Sequence, residues 1–208
     1  MSFGYIQSFP VAISPPVRVI SLARWCLFLP LLRQEICRTF QEDLKGILFD
    51  GSNLEYEDAE LYDYISSLKN PKDVLVHCSN LKEEGNSSFK EGDLDGAKLE
   101  KYNLSMVFLS CLVLNEVDVR ISFSQLATSV VLNMAASFLK KKEFRQGGHF
   151  YSIVLNHNPG NVKALFRRAN AAMGLGNYEL VSWDLKVAHK VEPSNQEVMR
   201  KLREVEQS

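Results

Sequence analysis

The stretch KEFRQGGHFYSIVLNHNPGNVKALFRRANAAMGLGNY, residues 142–178, contains the periodicity that decides the fold. Its first turn signal, Lys142-Glu143-Phe144, recurs as Gly176-Asn177-Tyr178, and Pro159 recurs as Pro193 with the same offset in residue number. Apolar residues recur at helical spacing between these signals, and a proline just past a helix cannot continue its hydrogen-bond ladder. Two helices joined by a turn and repeated with this roughly 34-residue period predict a stacked all-α array.

An earlier turn signal extends the array towards the N-terminus. Gly92-Asp93-Leu94 precedes the second signal by one period plus an insertion of roughly 16 positions. We expect the insertion to lengthen the second helix of the first repeat and the loop after it. The last helix should shield the end of the array. The predicted fold is an all-α solenoid of three helix-turn-helix repeats plus a C-terminal capping helix, with repeats at about 75–114, 122–159 and 160–193 and the cap at 194–206.

The segment before the repeats, residues 1–74, lies outside this period. Residues 1–45 are interpreted as an N-terminal extension, in which positions 1–34 include arginines but no acidic residue. Its apolar part is too short and too charged for a membrane span. Three interpretations stay open: a disordered or loosely packed extension, a transit-type targeting segment, or a leader with no role. Residues 46–74 are acidic and should form a linker or a solvated helix before the repeat domain at 75–208.

Composition argues against several functions. A net charge of −1 and an isoelectric point near 6.4 do not favour nucleic-acid binding, which needs a basic footprint. The four cysteines form no CxxC pair, which favours reduced thiols in an intracellular protein, and the four histidines have no ligand spacing. We therefore expect no metal, no cofactor, no catalytic site and a cytoplasmic location. The alternative location is the outer surface of an organelle, or targeting to plastids or mitochondria by the N-terminal segment.

Five polar residues on the predicted helices share one chemistry. Lys82 and Asn86 are separated by one helical turn, as are Lys163 and Arg167, so each pair occupies one helix face. Asn133 lies at the corresponding place in the middle repeat. If the helices stack side by side, these residues converge on one concave surface. Its cations and amides suit an acidic peptide.

Two segments carry a resemblance to a known family. KEEGNSSFKEGD, residues 82–93, is similar to the opening of a first repeat, and VKALFRRA, residues 162–169, is similar to the opening of a third. Residues 75–206 resemble the tetratricopeptide-repeat (TPR) domain of heat-shock co-chaperones. The nearest patterns are those of plant immunophilin-type prolyl isomerases and of chaperone-docking receptors on organelle outer membranes.

The resemblance implies a site and a ligand. In that family, five positions form a dicarboxylate clamp for the acidic C-terminal EEVD peptide of the 70- and 90-kilodalton heat-shock chaperones. The matching residues here are Lys82, Asn86, Asn133, Lys163 and Arg167. The resemblance thus implies a protein–protein interaction module that acts as a co-chaperone or adaptor. It does not indicate which chaperone class is preferred.

The sequence also departs from the family pattern. The first repeat has one extra residue between Ala97 and Tyr102, and the second has Gly147-Gly148 where a small helix former is usual, which should weaken its packing. No run of strands precedes the repeats to build an isomerase domain, so we expect no enzyme activity. Alternatives are a truncated relative of a TPR-containing isomerase, a chaperone-docking receptor on an organelle membrane, or a scaffold that uses its convex face.

Overall fold

A computed structural model describes residues 29–49, 67, 70–90 and 97–207 of the chain. These residues form eight α-helices and no strand, which confirms the predicted all-α array. The helices are α1 (Leu29–Phe49), α2 (Pro71–Lys90), α3 (Ala97–Cys111), α4 (Val117–Lys140), α5 (Phe144–His157), α6 (Val162–Gly174), α7 (Tyr178–Val191) and α8 (Gln196–Glu206). The pairs α2–α3, α4–α5 and α6–α7 pack as three repeats, and α8 packs on α7 as the cap.

The turns repeat at the period found in the sequence. Lys142 and Gly176 hold equivalent places within the second and third repeats, and both have a left-handed backbone, with φ of 63° and 71°. Asn161 and Asn195 are likewise one period apart, and each caps the helix that follows it by accepting a hydrogen bond from a backbone amide. The left-handed residues end one helix and the asparagine caps begin another, and both effects depend on neighbouring residues in the chain.

The insertion lies elsewhere than expected. Helix α3 has 15 residues, close to the 14 of α5 and α7, whereas α4 has 24 and its counterpart α6 has 13. The extra residues therefore lengthen the first helix of the second repeat, not the second helix of the first. Val119, Phe123 and Ala127 are buried at intervals of four, so the apolar stripe simply continues backwards along α4. Within the described residues, α4 is also the one helix that is long and apolar enough to span a membrane. In this fold, 44% of its most apolar 18-residue stretch is buried.

Helix α1 continues past residue 45, the predicted end of the N-terminal extension, and it belongs to the same core. Four of its apolar residues are buried, and Phe40 packs edge-on against Phe123 of α4 at 5.9 Å between ring centroids. Gln41 donates to the backbone oxygens of Leu109 and Leu112 at the end of α3, at 3.0 and 2.8 Å. The buried positions are Cys37, Phe40, Leu44 and Leu48, whose helical spacing is the physical reason that α1 packs here. The expectations for residues 1–28 and 50–66, and the first turn signal at 92–94, lie outside the described residues.

The two glycines of the second repeat have different surroundings. A Cβ on Gly147 would lie 3.3 Å from the backbone oxygen of Ala135, so this glycine lets α5 approach the backbone of α4. A Cβ on Gly148 would meet only the side chain of Ala171, at 3.9 Å. The first glycine therefore serves close packing between helices, and the second costs helix propensity without an equivalent steric reason.

Candidate peptide-binding site

The five predicted residues lie on the first helices of the three repeats. Lys82 and Asn86 are on α2, Asn133 is on α4, and Lys163 and Arg167 are on α6. Because α4 packs against both α2 and α6, the three helices lie side by side with α4 in the middle. The structure joins the residues into two groups, one around Asn86 and one around Arg167. No direct hydrogen bond links the two groups in the described part of the chain.

The first group is a hydrogen-bond network centred on the side-chain oxygen of Asn86. This oxygen accepts a bond of 2.8 Å from the Asn133 side-chain amide and another of 2.8 Å from the Tyr102 hydroxyl. Tyr102 is buried, and its burial raises its pKa to about 12, so the hydroxyl keeps its proton. The two asparagines of the predicted clamp are therefore in direct contact.

A carboxylate already lies between Lys82 and Asn86. One oxygen of Glu83 is 2.9 Å from the Lys82 ammonium, and its other oxygen accepts a bond of 3.1 Å from the Asn86 amide nitrogen. The Glu83 side chain is 64% exposed, whereas that of Lys82 is 18% exposed. The half-buried cation and the amide thus hold one carboxylate through both of its oxygens, with the carboxylate on the solvent side.

The second group is a concentration of positive charge. Partial burial and the nearby charge of Arg167 lower the pKa of Lys163 below its usual value. Within the described residues neither side chain has an ion-pair partner. Both line a cavity of about 470 Å³ between α6 and α8, together with the apolar side chain of Phe166 and the acidic residues Glu192 and Glu197. Lys163 and Arg167 are one helical turn apart and form no ion pair with a described residue, so together they can meet the carboxylate of an anionic ligand that also contacts Phe166.

A second buried tyrosine lies near Arg167. Burial raises the pKa of Tyr151 to about 12, and the charge of Arg167 partly opposes that rise. The Tyr151 hydroxyl has no hydrogen bond of standard geometry to any described residue. Arg167 therefore lies close to a buried phenol, and its guanidinium has five N–H donors, of which a ligand carboxylate needs two.

A further cavity of about 520 Å³ lies between the N-terminal halves of α2 and α4, where the insertion has lengthened α4. Its walls include the apolar side chains of Val76 and Leu126, and Lys82 lies on its border. Lys72 of α2 forms an ion pair of 2.9 Å with Asp118 of α4, which ties the two helices together at their starts. The cavity therefore adjoins the first group of site residues.

Two residues of the site are not among those predicted from the sequence. They are Tyr102, which the pattern singles out only for its spacing from Ala97, and Glu83, which is only a letter of the motif around Lys82. A tyrosine in the second helix of a repeat looks like an ordinary core residue, because its apolar ring satisfies the helical pattern. Only the fold shows that its hydroxyl reaches Asn86 on the helix before it.

Three helix pairs, of which the second and third follow a 34-residue period, and a capping helix have the architecture of a tetratricopeptide-repeat solenoid. In sequence, the chain is similar to rat aryl-hydrocarbon-interacting protein-like 1, with 34% identity over 170 residues that cover 80% of this chain and 52% of that protein. It is also similar to Arabidopsis thaliana peptidyl-prolyl cis-trans isomerase FKBP42, with 31% identity over 124 residues, 59% of this chain and 34% of that protein. The chain thus spans about half the length, or less, of these relatives. No protein-family model matches it.

Solved structures share the fold. The C-terminal TPR-containing domain of a Plasmodium falciparum protein described as FK506-binding aligns with a TM-score of 0.60 and 24% identity, over 71% of this chain and 94% of that domain. The first TPR of Spaghetti (RPAP3), bound to the HSP90 peptide SRMEEVD, aligns with a TM-score of 0.51 and 24% identity, over 63% of this chain and 91% of that one. The second TPR domain of human RPAP3, in complex with the HSP70 peptide SGPTIEEVD, aligns with a TM-score of 0.51 and 20% identity, over 67% of this chain and all of that one. The predicted resemblance to TPR domains is confirmed.

Proposed function

We propose that this domain binds the acidic C-terminal EEVD peptide of heat-shock chaperones of the 70- and 90-kilodalton classes and acts as a co-chaperone or adaptor. The observation that carries the proposal is the carboxylate of Glu83, held at once by the Lys82 ammonium and the Asn86 amide. These are two of the groups expected to hold the ligand. Neighbouring TPR domains in complex with HSP90 and HSP70 peptides support the choice of ligand.

The chemistry assigns a role to each residue. The C-terminal carboxylate of the peptide would replace that of Glu83 against Lys82 and Asn86, with a further donor from the second amide hydrogen of Asn133. The side chain of the last aspartate, or an acidic side chain before it, would meet Lys163 and Arg167. Hydrogen bonds to charged groups contribute about 1.5–3 kcal/mol each. A few of them, less the cost of ordering an extended peptide, correspond to an affinity of roughly micromolar order.

The proposed activity is binding and not catalysis. The five residues offer cations and amide donors, which hold an anion, whereas proton transfer or nucleophilic attack needs a positioned base or nucleophile. The proposal concerns this domain, because the chain covers only part of the length of its relatives.

Calorimetry of the full chain with the peptide SRMEEVD, and with the same peptide amidated at its C-terminus, tests the proposal. We expect binding of roughly micromolar affinity, and a large loss on amidation because the terminal carboxylate is removed. Lys82→Ala and Arg167→Ala should abolish binding while the far-ultraviolet circular dichroism stays unchanged. Lys186→Ala removes the same charge from an exposed place on α7 and should bind within twofold of wild type.

Two results would contradict the proposal. A wild-type chain that does not bind the peptide would refute the function itself. A Lys82→Ala or Arg167→Ala variant that binds as tightly as the wild type would refute the clamp as the place of binding. Running the SGPTIEEVD peptide beside SRMEEVD would then show which chaperone class is preferred.

A further inference from the structure

The hydroxyl of Tyr102 lies under the first group of site residues. Tyr102 is in α3, the second helix of the first repeat, and it is only 1% exposed. Its hydroxyl donates to the side-chain oxygen of Asn86 at 2.8 Å, and the same oxygen accepts from Asn133 at 2.8 Å. One buried phenol and one amide thus hold a single oxygen from two directions.

This arrangement decides which way the Asn86 amide points. A side-chain amide carries an acceptor oxygen on one side and two N–H donors on the other, and a carboxylate ligand can use only the donors. If the Asn86 amide alone were reversed, its NH₂ group would face the NH₂ group of Asn133 and its oxygen would face the Glu83 carboxylate, and neither contact could be a hydrogen bond. With its oxygen held by Tyr102 and Asn133, Asn86 must direct its nitrogen to the place where Glu83 now lies.

The backbone beside Asn86 is shaped to admit the tyrosine ring. A Cβ on Gly85 would lie 2.7 Å from a ring carbon of Tyr102, so only glycine allows this approach. The ring is therefore fixed against α2, and the hydroxyl reaches the next residue along that helix. Gly85, Asn86 and Tyr102 thus act together: the missing Cβ of Gly85 lets the Tyr102 ring pack on α2, and the ring places its hydroxyl against the Asn86 oxygen.

We infer that Tyr102 is a positioning residue of the peptide-binding site, which sets the amide direction of Asn86 and Asn133 for a ligand ending in a carboxylate. The inference rests on the proposed function, and it goes beyond it because Tyr102 lies below the asparagines and acts through them. A phenylalanine would preserve the packing on Gly85 and remove only the donor.

The Tyr102→Phe variant of the full chain tests this inference, with the peptide SRMEEVD as the probe. We expect binding about fivefold weaker than wild type, the size of effect that loss of one hydrogen bond produces. Tyr178→Phe removes a hydroxyl from a 60% exposed tyrosine at the start of α7 and should bind within twofold of wild type. Thermal unfolding checks that both variants are folded.

A double-mutant cycle separates positioning from general support of the fold. In an Asn86→Ala background the acceptor oxygen is gone, so Tyr102→Phe should change the affinity by less than twofold. If Tyr102 only supported the fold, Tyr102→Phe would weaken binding equally in both backgrounds. Nuclear magnetic resonance of the side-chain amides gives a readout without peptide: the NH₂ signals of Asn86 and Asn133 should shift in Tyr102→Phe and stay in place in Tyr178→Phe.

The outcomes distinguish this inference from the proposed function. If the wild type binds, Lys82→Ala does not, and Tyr102→Phe binds within twofold of wild type, the positioning role is overturned while the clamp stands. Unchanged NH₂ signals in Tyr102→Phe overturn it as well, whatever the peptide does. If the wild type does not bind the peptide, both the proposed function and the role of Tyr102 in it are overturned.

Discussion

The substitution Glu83→Gln should strengthen peptide binding. The carboxylate of Glu83 occupies the place proposed for the ligand, 2.9 Å from the Lys82 ammonium and 3.1 Å from the Asn86 amide nitrogen. A peptide carboxylate must displace it before it can reach either group. Glutamine keeps the size of the side chain but loses the charge, so the competing contact with Lys82 becomes weaker.

The size of the effect follows from exposure. Glu83 is 64% exposed, so its ion pair with Lys82 is largely screened by water. Exposed pairs contribute roughly 0–1 kcal/mol, and each step of about 1.4 kcal/mol corresponds to a factor of ten in affinity. Releasing Lys82 from this pair should therefore tighten binding by up to about fivefold, and the gain should be largest at low ionic strength.

Calorimetry with SRMEEVD measures this gain, and Glu84→Gln is the matched control. Glu84 is the next residue of α2, is 56% exposed and pairs with Lys101 on α3 at 3.0 Å, outside the two groups of site residues. Both variants change the net charge equally, so a general attraction of the acidic peptide affects them alike. The reasoning would be refuted if Glu83→Gln bound no tighter than Glu84→Gln, or if its advantage did not shrink as salt was added.

Four further substitutions test the frame that holds the site, each by urea unfolding. Gly148→Ala should stabilise the fold by about 0.5–1 kcal/mol, because the added Cβ has room and alanine favours the helix. Gly147→Ala should give no such stabilisation, because its Cβ would press on the backbone of α4. Equal changes in the two variants would contradict the different roles assigned to the two glycines. Asp184→Ala should destabilise the fold by about 3–5 kcal/mol, because it leaves the buried guanidinium of Arg168 without the carboxylate that it binds through two hydrogen bonds of 2.7 and 2.9 Å. A loss of stability below about 1 kcal/mol would show that other groups compensate the charge of Arg168. Lys142→Gly should stabilise by about 1 kcal/mol by relieving a left-handed backbone with φ of 63°, and an unchanged midpoint would refute that strain.

Local chemistry made much of the array predictable. Turns, caps and prolines act within a few residues, so the helix pairs of the second and third repeats could be predicted from the period alone. The predicted location of the insertion was wrong, because the number of residues between two turn signals does not say which helix contains the extra ones. Packing decides that question. Val119 and Phe123 are buried in the core, so the extra residues extend α4.

Helix α1 shows a second limit of the sequence pattern. Its buried residues, from Cys37 to Leu48, have helical spacing, but the arginines and the proline near them resemble those of an unpacked extension. Its place is set by partners far along the chain, such as Phe123 on α4 and His157, whose ring nitrogen lies 2.7 Å from Asp43. A short sequence window contains none of these partners.

The sequence by itself determined the helix-turn-helix period, the all-α class and the five cations and amides, because helical spacing and turn chemistry are local. Only the tertiary structure decided how those residues are prepared for a ligand. It brought Asn86 and Asn133 into contact across 47 residues, placed the Tyr102 hydroxyl beneath them, and left Lys163 and Arg167 beside an apolar wall. The direction of a side-chain amide depends on donors that approach through space, and the order of residues along the chain does not specify that approach.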